Sequence, residues 1–164
     1  MSARFNKPTV ARLAKLLGLD RPAAAWLTGR PHQVIPMTRN ELIEKYRGYI
    51  DCLNRQAWDE LGQFVHADVR YNGAVVGLGG YRSMLEGDFR AIPDLRFQIE
   101  LLICDPPRIA ARLNFDCTPV GTLFDLPVNG RRVQFDENVF YEFAEGRIER
   151  VWSIIDKAGI ARQL

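Results

Sequence analysis

A carboxylate occupies an apolar position in the strand predicted over residues 133–143. The odd-numbered positions Val133, Phe135, Val139, Tyr141 and Phe143 are apolar or aromatic, and Glu137 lies in their middle. Side chains alternate between the two faces of a strand, so Glu137 shares the face predicted to be buried. A buried carboxylate is costly unless it is paired or lines a wet cavity. Glu137 is therefore a candidate acid/base or hydrogen-bonding group in a pocket, with its pKa shifted by burial.

A structural interpretation of Glu137 remains open, because Arg112, a backbone amide or a sheet edge would also satisfy it. The next turn decides which residues face it. Ala144-Glu145-Gly146 favours a three-residue loop, which pairs Glu137 with Ser153. A two-residue loop would instead place Trp152, Ile154 and Asp156 on the face of Glu137.

Asp156 is the second candidate carboxylate, because it follows the apolar run 151–155. It would be either a pocket carboxylate or a cap of the turn over residues 157–159. Trp152 would be a pocket wall or part of the core. Tyr71 and Asn72 end a short strand, where a turn at Asn72-Gly73 competes with a place on the pocket rim.

The elements that position these residues are helices followed by hairpin strands. Thr38 and Glu41 form a capping-box pattern at the start of a strong helix. Two further helices are predicted, at about 58–64 and 81–91. From Leu95 the apolar period changes to two. This order predicts an α+β fold with an antiparallel sheet.

Composition limits the kinds of site that are expected. The chain has 164 residues, of which 47% are hydrophobic and 26% charged. Its three cysteines form no C-x-x-C pair, and it has two histidines. These counts disfavour a disulfide framework and a zinc site, so we expect no metal. No apolar run reaches the ~18 residues of a membrane span, and we expect a cytoplasmic protein without a membrane partner.

Charge divides the chain into two parts. Residues 1–39 carry a net charge of +6 and residues 40–164 a net charge of −4. We predict a basic helical extension and linker over residues 1–37, with helices at 9–17 and 22–27, and a main domain over 38–164. The acidic main domain gives no reason to expect nucleic-acid binding. The extension would pack on the main domain, cap a cavity or extend a dimer contact, while a DNA-tethered ligand sensor is a third hypothesis.

A series of short motifs gives the chain a family resemblance. Over about residues 38–164 it resembles the SnoaL-like polyketide cyclase (ester cyclase) family of the nuclear transport factor 2-like (NTF2-like) superfamily. The segments that carry the resemblance are His66-Ala-Asp-Val, Ile92-Pro-Asp-Leu-Arg-Phe, Arg108-Ile-Ala-Ala-Arg, Leu126-Pro-Val-Asn-Gly-Arg-Arg-Val, Gly146-Arg-Ile, Trp152 and Asp156.

The resemblance implies a cone-shaped α+β fold in which a curved antiparallel sheet wraps around N-terminal helices and a deep apolar cavity. It also implies a homodimer through the outer face of the sheet. Family cyclases close a ring by an intramolecular aldol reaction without metal or organic cofactor. A pocket carboxylate removes a proton alpha to a carbonyl, and the enolate attacks a second carbonyl.

The site residues of the family are only partly present. The resemblance places a His of the family at Val139 and its catalytic Asp at Ser153. Neither Val139 nor Ser153 can accept a proton from a carbon acid near neutral pH. Glu137 is the candidate replacement from the neighbouring strand, and Asp156 matches the family.

Two functional hypotheses follow from these residues and from the family resemblance. The first is a cofactor-independent enzyme that cyclises or isomerises a small apolar carbonyl compound, with Glu137, alone or with Asp156, as the base. Its expected substrate-binding residues are Tyr71, Asn72, Phe135, Val139, Tyr141, Trp152 and Ser153, with Asn72 or Ser153 orienting the carbonyl. The second is a non-catalytic small-molecule-binding protein. An enzyme should hold a carboxyl group of raised pKa in the cavity, whereas a binder should keep both carboxylates in surface pairs.

Overall fold

The computed structural model describes residues 37–164. The helices predicted at 9–17 and 22–27, and most of the linker, lie outside the described residues. No helix of the described part is long and apolar enough to cross a membrane. The elements, in chain order, are α1 (Arg39–Asn54), a 3-10 helix (Trp58–Gln63), β1 (Val65–Tyr71), β2 (Ala74–Val75), α2 (Gly77–Ala91), β3 (Gln98–Asp105), β4 (Arg108–Cys117), β5 (Thr122–Leu123), β6 (Leu126–Pro127), β7 (Val133–Ala144), β8 (Arg147–Ile155) and α3 (Lys157–Ala161).

Helix α1 begins at the predicted capping box. The Thr38 hydroxyl accepts the Glu41 backbone N–H at 3.3 Å, and the Glu41 carboxylate accepts the Thr38 N–H at 2.8 Å. Two of the N–H groups that a helix start leaves unpaired are thereby satisfied. One face of the helix is buried, and it consists of Leu42, Tyr46, Tyr49, Ile50, Cys52 and Leu53.

Six strands form one sheet in the order β2-β1-β8-β7-β4-β3. Its pairs are antiparallel as predicted, apart from the parallel pair of β1 and β8. The predicted antiparallel sheet therefore contains one parallel pair, which the sequence patterns did not indicate. Strands β1 and β8 lie at opposite ends of the domain sequence, and local hairpin signals do not report such a distant pairing. One face of the sheet joins the helices in a single hydrophobic core.

The turn between β7 and β8 contains two residues rather than the predicted three. Glu145 and Gly146 both have positive φ, at 51° and 71°, which is typical of a type I′ turn. A bulge after Glu142 then shifts the register by one more residue. Glu137 therefore lies opposite Ile155, not opposite Ser153 as predicted.

The bulge also decides which face Trp152 occupies. A two-residue turn alone would place Trp152 on the face of Glu137, but the extra shift moves it to the other face. There Trp152 pairs with Phe140, and both side chains are exposed, by 38% and 53%. Ser153, next to Trp152 in the chain, lies on the inner face with Glu137.

We predict that Gly146→Ala lowers the free energy of unfolding by about 1 kcal/mol or more, because φ at this position is +71° and a Cβ is strained there. Urea unfolding followed by circular dichroism measures the change. Gly79→Ala is the matched control, because Gly79 lies in α2, where φ is ordinary and a Cβ meets nothing within 4 Å. The control should be neutral or stabilising, and equal destabilisation by both substitutions would contradict the turn assignment.

Candidate active site

A cavity of about 230 Å³ opens between the inner face of the sheet and helices α1 and α2. Its wall is mainly aromatic and aliphatic. Glu137 and Asp88 are its carboxyl groups, and no lysine, arginine or histidine of residues 37–164 lines it. The lining residues are Tyr49, Tyr71, Tyr81, Met84, Leu85, Asp88, Ile92, Leu95, Phe97, Phe115, Phe124, Phe135, Glu137, Tyr141, Val151 and Ile155.

Glu137 enters the cavity from the middle of β7. The Ser153 hydroxyl donates a short hydrogen bond to Glu137 Oε1. Burial among apolar groups raises the pKa of Glu137; the Ser153 hydrogen bond offsets part of this rise, and the charge of Asp88 adds to it. Arg112 does not neutralise Glu137, because its guanidinium pairs with Glu100 and Asp136 on the outer face. Glu137 is thus a carboxyl group held in the cavity without a cation.

Asn72 holds Ser153 in place from the neighbouring strand. The Ser153 backbone N–H donates to Asn72 Oδ1 at 2.9 Å, and Asn72 Nδ2 donates to the Ser153 carbonyl at 3.3 Å. Asn72 has a φ of +47°, so it also forms part of the turn that ends β1. The Asn72 side chain, which was expected to orient a substrate carbonyl, holds β8 beside β1. It thereby positions the Ser153 hydroxyl that contacts Glu137.

The five tyrosines of the chain all lie around Glu137. Burial is the main cause that raises the pKa of each phenol, and the charge of Glu137 contributes in every case. The Tyr49 and Tyr81 hydroxyls are hydrogen-bonded to each other at 2.7 Å. Phenols with raised pKa values stay protonated at neutral pH and can donate hydrogen bonds. The five residues are Tyr46 and Tyr49 from α1, Tyr71 from β1, Tyr81 from α2 and Tyr141 from β7.

Asp88 is a cavity residue that the sequence analysis missed. Burial raises its pKa to about 6. No hydrogen bond or ion pair joins its carboxyl group to another residue of 37–164. The signal was present in the sequence, because Asp88 follows Tyr81 and Leu85 at helical spacing and so lies on the apolar face of α2. A carboxylate on an apolar helix face is as unusual as Glu137 on an apolar strand face.

The structure brings four of the predicted site residues into the cavity wall, namely Tyr71, Phe135, Glu137 and Tyr141. Ser153 reaches Glu137 through its hydroxyl. Val139, 1% exposed, is a core residue that does not line the cavity. Trp152 lies on the opposite face of the sheet because of the bulge in the β7–β8 hairpin.

Asp156 lies outside the cavity. It is the N-cap of α3, where its carboxylate accepts the Gly159 N–H at 2.8 Å. Arg162 approaches the same carboxylate at 3.7 Å. The arrangement is therefore the capping role that the sequence analysis had left open, and the structure does not bring Asp156 together with Glu137.

Four phenylalanines form the aromatic part of the apolar wall. Phe115 stacks on Phe135 with ring centroids 5.0 Å apart, and Phe97 meets Phe115 edge to face at 5.3 Å. Phe124, from the turn between β5 and β6, approaches the Phe135 ring edge-on at 6.2 Å. Phe97 and Phe115 lie at apolar positions of predicted strands, whereas no local pattern marks Phe124.

Residues 37–164 contain no group of three or more His, Cys, Asp or Glu side chains arranged to hold a metal ion. What the cavity does offer is two carboxyl groups of raised pKa, protonated phenols and a large apolar surface. Such a set can move protons to and from a bound apolar molecule and can donate hydrogen bonds to its oxygen atoms.

Comparison with solved structures supports the fold assignment. The chain is 57% identical to a SnoaL-like polyketide cyclase from Agrobacterium tumefaciens, with a TM-score of 0.75 over 77% of this chain and 98% of that one. TsrD from Streptomyces laurentii is 21% identical, with a TM-score of 0.69 over 77% and 96%. IdmH from Streptomyces antibioticus is 16% identical, with a TM-score of 0.66 over 74% and 96%. The latter two likenesses show the NTF2-like fold.

No curated protein matches the chain. The family model described as SnoaL-like polyketide cyclase matches residues 43–164. The match begins inside helix α1, includes all the later helices and strands, and ends at the last residue. With the match to the Agrobacterium protein, this shows that the chain belongs to the SnoaL-like polyketide cyclase family.

Proposed function

We propose that the protein is a cofactor-independent acid/base enzyme that cyclises or isomerises a small apolar carbonyl compound. The observation that carries the proposal is the environment of Glu137. This carboxyl group faces the cavity and accepts a hydrogen bond from the Ser153 hydroxyl. No cation among residues 37–164 lies beside it, and its pKa is raised. A catalytic pKa nearer the operating pH makes proton transfer to and from the substrate more effective.

The cavity also suits the charge that such a reaction develops. Removal of a proton alpha to a carbonyl places negative charge on the carbonyl oxygen, and preorganised hydrogen-bond donors stabilise that charge. Tyr49, Tyr71, Tyr81 and Tyr141 line the cavity and supply protonated phenols. The aromatic wall excludes water and holds two reacting carbonyls of one molecule close together.

A passive binding function is less well supported. The competing hypothesis required the candidate carboxylates to lie in surface pairs. Asp156 does so, but Glu137 does not. A pocket that only held an apolar ligand would gain nothing from a desolvated carboxyl group, which costs free energy to keep there.

We predict that the wild-type protein accelerates deuterium exchange at the alpha carbon of 2-tetralone in D2O at neutral pH, and that Glu137→Gln lowers this rate at least ~100-fold. Proton NMR of the ketone measures the exchange. Glu142→Gln is the matched control, because Glu142 lies on the same strand but pairs with Arg108 and Arg150 instead of lining the cavity. A wild-type rate equal to the buffer rate would contradict the proposed function.

The outer face of the sheet supports the homodimer that the family resemblance implies. Ile103, Phe140 and Trp152 form one row across the strands with Ala110 between them. Leu101 and Ile154 extend the patch in the next row. The five large side chains of the patch are between 38% exposed (Trp152) and 68% exposed (Ile154). In that second row Arg112 and Asn138 lie between Leu101 and Ile154, so these two residues extend the patch only at its two ends. An exposed apolar patch is typical of a protein interface. We propose that a second copy of the chain covers it.

We predict that the double substitution Phe140→Lys with Ile154→Lys converts a dimer into a monomer, because two buried charges would face the partner copy without compensation. Sedimentation equilibrium measures the mass. Val75→Lys is the matched control, since Val75 is 63% exposed but lies on β2, away from the patch. A double variant that remains dimeric would show that another surface joins the copies.

A further inference from the structure

Asp88 faces the same cavity as Glu137 from the opposite wall. It belongs to α2, whereas Glu137 belongs to β7 in the sheet. Its neighbours along the helix face, Met84, Leu85 and Ile92, are apolar cavity residues. An ionisable group in such surroundings contributes no contact that would stabilise the fold. A structural role therefore leaves the position of Asp88 in the cavity wall unexplained.

The two carboxyl groups do not ionise independently. Burial raises the pKa of Asp88 to about 6, and the charge that Asp88 then carries helps to raise the pKa of Glu137. The other titratable groups that face them are the five tyrosines of α1, β1, α2 and β7, which stay protonated. Near neutral pH, above that value, Asp88 is favoured as the carboxylate, whereas burial and the charge of Asp88 both favour the protonated form of Glu137.

We propose that Asp88 and Glu137 divide the acid/base work, with the Asp88 carboxylate removing the alpha proton and the Glu137 carboxyl group protonating the carbonyl oxygen. This inference rests on the proposed function and assigns a second catalytic residue to it. Two carboxyl groups whose environments differ are the usual way in which one site supplies both an acid and a base.

The step balances within the site. The alpha C–H bond breaks, its proton goes to Asp88, and its electron pair forms the C=C bond of an enol, whose oxygen takes the proton of Glu137. In a cyclisation the enol carbon attacks the second carbonyl, and that oxygen takes the proton from Asp88. The enol O–H returns its proton to Glu137. The product is an isomer of the substrate, and both carboxyl groups recover their first state.

The test uses Asp88→Asn in the full-length protein with 2-tetralone as the probe. We expect the alpha-exchange rate to fall at least ~100-fold. Glu86→Gln is the control on the same helix, because Glu86 pairs with Arg82 and does not line the cavity. It should retain the wild-type rate. Circular dichroism checks that Asp88→Asn folds, as expected for a substitution that removes an uncompensated charge.

The pH profile of the wild type gives a second readout that needs no variant. Exchange should fall below about pH 6, because protonated Asp88 can no longer accept the alpha proton. A folded Asp88→Asn protein with the wild-type rate, or a wild-type profile without the acidic limb, would overturn the role of Asp88 while the proposed function stands. A wild type that exchanges no faster than buffer would overturn both.

Discussion

The rest of the site depends on one constraint, the free-energy cost of desolvating the Glu137 carboxyl group on the inner face of the sheet. A carboxylate there must find a hydrogen bond, stay protonated or face a cavity. The structure uses each of these means: the Ser153 hydroxyl donates to Glu137, burial raises its pKa, and the cavity opens in front of it. The same features that make Glu137 tolerable on this face support its proposed role as an acid/base group.

The surroundings of Glu137 come from parts of the chain that are far apart in sequence. The bulge in the β7–β8 hairpin turns Ser153 inward and Trp152 outward. Asn72, at the end of β1, fixes Ser153 across the parallel pair of strands. One irregularity of the sheet therefore shapes two surfaces at once: the proposed acid/base site on the inner face and the apolar patch on the outer face.

Much of this could be predicted from local patterns. The α+β class follows from the change of apolar period, the α1 capping box from Thr38 and Glu41, and the inner position of Glu137 from strand alternation. The bulge and the β1–β8 pair could not be predicted, because they arise from contacts between distant segments. Asp88 was missed although its helical spacing marked it. Asp156, by contrast, was predicted as a site residue because it matched the family pattern, but it lies outside the cavity as the N-cap of α3.

The most direct test of this account is a pH titration of the Glu137 carboxyl carbon by NMR, in the wild type and in Asp88→Asn. The account predicts a wild-type midpoint above the ordinary value of about 4.3 for glutamate. It also predicts a lower midpoint in Asp88→Asn, because the neighbouring negative charge is gone. A midpoint near the ordinary value in both proteins would contradict the claim that Glu137 is a desolvated cavity carboxyl coupled to Asp88.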